Sequence, residues 1–159
     1  KQASTPQERW PYIVTIIDEY ADLTIPAGRE EESRYISREI TESIIRLAQK
    51  GGAVGIHIIL ATQRPSKKVI TDSIKATFPT RIAVRTMTRT DSRVILDSPG
   101  AENLAGGGDM IFKIDTETER IQGSYISPEE INRLTTYVES QGCKKTPYTL
   151  PEPDSAPKA

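Results

Sequence analysis

The sequence predicts an α/β fold: a mainly parallel sheet flanked by helices, with a β-hairpin near the C-terminus. Three observations predict it. Two short Ile- and Val-rich runs, Ile13 to Ile17 and Gly55 to Thr62, have the length and composition of buried strands, and each ends abruptly in polar residues. Stretches with apolar residues at helical spacing lie between and after them. Beyond Gly106-Gly107-Gly108, two alternating segments, MIFKID and RIQGSYI, flank Asp115 to Glu119 and read as a hairpin with a longer loop.

Taken in order, Lys1 to Arg9 reads as a polar lead-in, and Trp10 and Tyr12 as residues packing at the core edge. The strand IVTII follows and meets Asp18-Glu19. Pro26, Gly28 and Glu30-Glu31-Glu32 suit an exposed loop. Ile36, Ile40, Ile44 and Leu47 define a helix, with Ser33 or Ser37 as its cap and Gly51-Gly52 as its stop. The strand GIHIILAT comes next and places His57 in the core. A short helix covers Val69 to Phe78, ended by Pro79. RIAVR is a third strand, and Thr88 to Leu96 a helix capped by Thr88 or Thr90. Ser127-Pro128-Glu129-Glu130 starts the last helix, which reaches Gly142. From Cys143 to Ala159 the Pro-rich, weakly apolar chain reads as a linker or tail. The organisation is therefore a lead-in (1–9), one domain (10–142) and a tail (143–159).

Composition narrows the function. At 159 residues, 36% hydrophobic and 27% charged, the chain can bury a core, and no apolar run approaches the ~20 residues of a membrane span. A cytoplasmic segment without membrane contact is the expectation. One cysteine, Cys143, and one histidine, His57, exclude an internal disulfide and sites built on sulfur or nitrogen, so any metal must be held by oxygen. Net charge is only −1, yet residues 61–93 carry eight basic side chains (Arg64, Lys67, Lys68, Lys75, Arg81, Arg85, Arg89, Arg93) against Asp72 and Asp91. That surplus of six in an otherwise acidic chain is an electrostatic footprint for a polyanion; a solvated face is the plainer alternative.

The strand ends carry the chemistry. Adjacent carboxylates are costly at the end of a buried strand unless they sit at the sheet's C-terminal edge, where open α/β sheets place ligands. There Asp18 can orient the water shell of Mg²⁺, and Glu19 can orient or activate a water for attack on phosphate. The plainer alternative is a strand leading into a helix N-terminus, where acids suit the macrodipole. Gln63 ends the second strand; as its neighbour, it can bond a γ-phosphate or the attacking water. A complete site of this kind needs G-x-x-x-x-G-K-[ST], which the sequence does not contain. Gly106 to Gly108 read as a turn.

IIDEYADL, RLAQK, GIHIILATQRPS, VITDSIKA, PTRIAVR, DSRVILD, GAENL and GGGDMIF, in this order, resemble the motor domain of the FtsK/SpoIIIE family of DNA translocases over about residues 11–140. The resemblance implies a partial RecA-like P-loop NTPase fold from the Walker B strand onward, with the Walker A part outside this chain. It implies an ATP- and Mg²⁺-dependent motor that moves double-stranded DNA through a homo-hexameric ring. Asp18 then matches the Mg²⁺-directing acid, Glu19 the catalytic base and Gln63 the γ-phosphate sensor. Arg64, Lys75, Arg89 and Arg93 match basic residues that line the pore and touch DNA, and Lys67 and Lys68 are additional cations beside them. Two departures stand out. Where the family has Arg in K-x-R-A-x-G-I-H, this chain has Gly52, and the acidic stretch between Gly28 and Leu47 is about nine residues longer than usual. A conjugation or packaging motor of the same superfamily is the related alternative. For the chain alone, a DNA-binding or assembly module without ATPase activity is the other.

Overall fold

A computed structural model describes residues 12–26, 28 and 30–142. The elements are β1 (Ile13–Ile17), α1 (Tyr20–Thr24), α2 (Glu31–Gly51), a 3-10 turn (Gly52–Val54), β2 (Ile56–Leu60), α3 (Asp72–Thr77), β3 (Thr80–Val84), α4 (Arg89–Leu96), a second 3-10 turn (Ala101–Asn103), β4 (Asp109–Ile114), β5 (Glu117–Gln122) and α5 (Pro128–Ser140). They form two compact units, one through Gly123 and one from Ser124. Trp10, Cys143, the lead-in and the tail lie outside the described residues.

β1 and β2 pair in parallel, Ile13 opposite Ile56 and Ile17 opposite Leu60. The ladder continues past both strands: the Ala61 amide donates to the Ile17 carbonyl (2.8 Å) and the Tyr20 amide to the Ala61 carbonyl (2.8 Å). β3, β4 and β5 form a separate antiparallel sheet in that order. The α/β class is therefore as expected, but RIAVR pairs antiparallel with β4 instead of extending the parallel sheet. The hairpin turn between β4 and β5 is also tighter than the sequence suggested, with Asp115 in left-handed backbone (φ 52). Such short turns need positive φ, which Asp tolerates better than most residues.

Each sheet has its own core. Tyr20, Ala21, Ile44, Val69 and Ile74 bury together, with Ile17 and Leu60 packed against them. Ala83, Leu96, Ala101 and Leu104 form the second cluster, joined by Ile95 and Ile111. Ser92, fully buried, ties this second core: its hydroxyl donates to the Ser98 carbonyl (2.9 Å) and accepts from the Ala101 amide (3.0 Å).

Three burial expectations differ from the structure, for one reason. β1 was expected to be covered on both faces, His57 to lie in the core and Tyr12 to pack at its edge. Instead Ile13, Val14 and Ile16 are exposed, as are His57 and Tyr12, whose rings meet at 5.8 Å between centroids. Only β2 flanks β1 among the described residues. Side chains alternate across a strand, so Ile56, Ile58 and Leu60 turn inward while His57 and Ile59 turn to the open face.

α2 also starts earlier than expected. Its N-cap is Glu30, which makes no side-chain cap bond, and the acids Glu31 and Glu32 fill the first turn, where the macrodipole favours them. Ser33 and Ser37 are thus inside the helix, the Ser37 hydroxyl donating to the Ser33 carbonyl (2.9 Å). The acidic stretch is accordingly the exposed first part of a 21-residue helix. At its far end Gly52 has open space where a Cβ would stand, so packing does not dictate glycine there. In the second unit, Ser127 and Glu130 close a capping box on α5.

Candidate functional site

The parallel pairing of β1 and β2 places the two polar strand ends side by side. Glu19 follows β1 in extended backbone and caps α1, its carboxylate accepting from the Ala21 amide (3.1 Å). The same carboxylate reaches across to the end of β2. Oε1 accepts from the Thr62 hydroxyl at 2.5 Å, and Oε2 from the Gln63 amide at 2.9 Å. Thr62 in turn accepts from the Arg64 amide (3.1 Å), so both of its hydrogen-bonding roles are used. The Thr62 hydroxyl, then the Gln63 amide, hold the Glu19 carboxyl below its ordinary pKa; burial opposes them slightly, and the Ala21 amide and the Arg64 charge add to them. Glu19 is thereby fixed as an oriented carboxylate at the C-terminal edge of the parallel pair.

Asp18 stands beside it with a different setting. It is exposed and makes no hydrogen bond or ion pair with the described residues. One acid is therefore held and the other is open. An open acid can meet a hydrated cation, whereas a held one keeps a fixed direction. No cluster of three or more metal-ligating side chains occurs among the described residues. Gln63 is exposed at the same edge, its backbone on Glu19 and its side chain free of any partner among the described residues.

Sequence reasoning missed Thr62. It lies 43 residues from Glu19, and only the parallel register brings the two together. The signal available was a hydroxyl residue at the end of the second strand, one position before Gln63.

The basic residues divide by their surroundings. Arg64, Lys67 and Lys68 are exposed on the segment after β2, Arg64 paired at 3.4 Å with Asp22, itself exposed. Exposed pairs of this kind contribute little and yield readily to another anion. Arg89 and Arg93 are exposed on α4, Arg89 lying 4.0 Å from Glu102 and Arg93 with no ion pair among the described residues. Lys75 differs. Its ammonium is turned onto Asp97 at 2.7 Å, where Arg81 and Lys113 also converge. Asp97 was not singled out from the sequence. Burial pushes its carboxyl up, but the bonds from Lys75 and Lys113 and the charge and bonds of Arg81 outweigh that and hold it far below the usual carboxylate range.

The sequence profile of the FtsK/SpoIIIE family matches residues 1–67. Over 147 residues the chain is 48% identical to the DNA translocase FtsK of Chlorobaculum tepidum, covering 91% of this chain and 17% of that protein. The chain belongs to the FtsK/SpoIIIE family. The DNA translocase FtsK 2 of Neisseria meningitidis is 48% identical over 86% of this chain and 13% of its own length. DNA translocase FtsK of Streptococcus pneumoniae is 46% identical over 88% and 17%. The chain thus spans less than a fifth of the length of these FtsK relatives. Among solved structures, the pCW3 conjugation coupling protein TcpA, a monomer with ATPgS, superposes with a TM-score of 0.72 at 30% identity, over 82% of this chain and 38% of that one. The cytoplasmic domain of the Thermomonospora curvata type VII secretion ATPase EccC gives 0.63 at 25% identity, over 77% and 13%. The fold is that of P-loop ATPase motors. No helix among the described residues is long and apolar enough to cross a membrane.

Proposed function

We propose that this chain is the Walker B half of a motor that couples Mg-ATP hydrolysis to the movement of double-stranded DNA, working in a homo-hexameric ring. The observation that carries the reading is the Glu19 carboxylate, held by Thr62 and Gln63 across two parallel strands while Asp18 beside it stays open. In this reading Asp18 directs Mg²⁺ through water. Glu19 orients the attacking water and accepts its proton, and the Gln63 side chain meets the γ-phosphate or that water. The phosphate cradle comes from a Walker A segment elsewhere in the full-length protein, since G-x-x-x-x-G-K-[ST] does not occur in these 159 residues. The open face of β1 and β2, with Val14, Ile16 and Ile59 exposed, suits a surface covered by that segment.

Arg64, Lys67, Lys68, Arg89 and Arg93 are the exposed cations for the DNA backbone, and Lys75 joins them once released from Asp97. Binding through phosphates is salt-sensitive and indifferent to sequence. The likeness to TcpA favours one second reading, a conjugation motor of the same superfamily with the same chemistry. ATP turnover by the full-length protein, with and without double-stranded DNA, tests the proposal. Turnover that DNA stimulates, together with none from the 159-residue chain alone, is the expected result. Turnover by the chain alone, or indifference of the full-length protein to DNA, contradicts it.

A further inference from the structure

Asp97 gathers more positive charge than one carboxylate requires. It closes α4 in left-handed backbone (φ 65), and three cations from three different elements converge on it. Lys75 Nζ, from α3, meets Oδ1 at 2.7 Å. Arg81 Nη1, from β3, and Lys113 Nζ, from β4, share Oδ2 at 2.9 and 3.1 Å. The cluster therefore carries two surplus positive charges. Their heads are largely withdrawn from water, the three side chains being 19%, 14% and 11% exposed, whereas the Asp97 side chain is 47% exposed.

The three cations are not equally committed. Arg81 also donates to the Ile95 carbonyl (2.8 Å) and Lys113 to the Leu96 carbonyl (2.6 Å), at the negative end of α4. Lys75 has no second acceptor among the described residues. Were it to leave, Asp97 would keep both partners on Oδ2, and water could take its place on Oδ1. An ammonium on a four-carbon stem can make that move without shifting its helix. Lys75 is thus the member of the cluster that is cheapest to release, and it belongs to the 33-residue block whose charge calls for a polyanion.

We propose that Asp97 is an internal rival of the DNA phosphate for Lys75: the carboxylate holds the ammonium when DNA is absent, and a backbone phosphodiester displaces it on binding. The inference rests on the DNA-moving reading above and assigns Asp97 a role in setting DNA affinity. It is a positioning residue that need not touch DNA.

A double-mutant cycle on the full-length protein tests it, with a double-stranded oligonucleotide of mixed sequence titrated over a range of salt. Asp97→Asn removes the competing charge, yet Asn tolerates left-handed backbone and keeps an acceptor oxygen. It is expected to bind DNA about fivefold more tightly, the scale of one partly exposed ion pair. Lys75→Ala is expected to lower the slope of log K against log salt by about 0.9 in both backgrounds, as for one lost phosphate contact. It should cost more affinity in the Asp97→Asn background, where no internal pair has to be broken. Weaker binding by a folded Asp97→Asn variant, or an equal cost of Lys75→Ala in both backgrounds, overturns the proposal. Should Asp97→Asn fail to fold, the side-chain ¹⁵N signal of Lys75 in the unaltered protein decides: it must shift when DNA binds, and an unmoved signal in the bound state refutes the rivalry. The two readings fail separately. No salt-sensitive DNA binding by the unaltered protein refutes the function itself, whereas binding with a flat cycle refutes only the role of Asp97.

Discussion

Replacing Gly108 and Gly107 separately by Ala distinguishes a glycine required by a close approach from one required only by its turn. Gly106, Gly107 and Gly108 all have positive φ (86, 61 and 95), but their surroundings differ. A Cβ on Gly108 would stand 2.7 Å from the Gly123 carbonyl oxygen and 3.0 Å from Gln122 Nε2; a Cβ on Gly107 would meet nothing within 4 Å. For Gly107 the cost is the left-handed backbone alone, about 1 kcal/mol. For Gly108 the same strain applies, and the Gly123 backbone must also move, breaking the bond from its amide to the Gly108 carbonyl (2.7 Å). A lost hydrogen bond of this kind adds about 1 kcal/mol, and displacing the backbone about as much again, giving roughly 3 kcal/mol in all. Equilibrium urea unfolding of the chain reads the difference. With an m value of about 2 kcal/mol/M, the midpoint should fall by about 0.5 M for Gly107→Ala and about 1.5 M for Gly108→Ala. Equal shifts for the two variants would show that the pairing of β5 with the glycine turn is not as described.

Two further predictions concern carboxylates. Arg120 first, and then the Ala105 amide, pull the Asp109 carboxyl down to about 2, with bonds of 2.6 and 2.8 Å from Arg120 and 2.7 Å from Ala105. A depressed pKa contributes stability above the unfolded value of ~3.9. That stability is lost as pH falls from there toward about 2, so melting temperature should drop through this window, and Asp109→Asn should flatten the drop; an unchanged profile in the variant refutes the assignment. Thr62→Val removes the donor that contributes most to lowering the Glu19 pKa, so that pKa should rise. In the full-length protein the acid limb of the pH–rate profile for ATP hydrolysis should move to higher pH, and a limb that stays in place would mean Thr62 does not tune Glu19.

What was legible in the sequence was mostly local. IVTII stopping at Asp18-Glu19 and the Thr88 and Ser127 caps are each specified within a few residues and form where the pattern put them. The hairpin after Gly108 forms with a shorter turn and an earlier second strand than the pattern suggested. Contacts set by register were not legible. Thr62 becomes a partner of Glu19 only because β1 and β2 run parallel in one alignment, and Asp97 becomes a hub only because α3, β3, β4 and the end of α4 meet there. Lys75 shows the same limit from the other side: its charge was countable, but its ion pair depends on a residue 22 positions away. His57 was misplaced because an apolar run does not reveal which of its residues face a covered side.

The central claim is that Glu19 is the base of a split phosphate site, and Glu19→Gln in the full-length protein tests it most directly. The substitution keeps the length of the side chain and a carbonyl oxygen for the Gln63 amide, but it removes the charge and the proton-accepting carboxylate. ATP hydrolysis should fall to background while ATP binding, followed by a fluorescent nucleotide, persists. Hydrolysis retained at a substantial fraction of the unaltered rate would contradict the account.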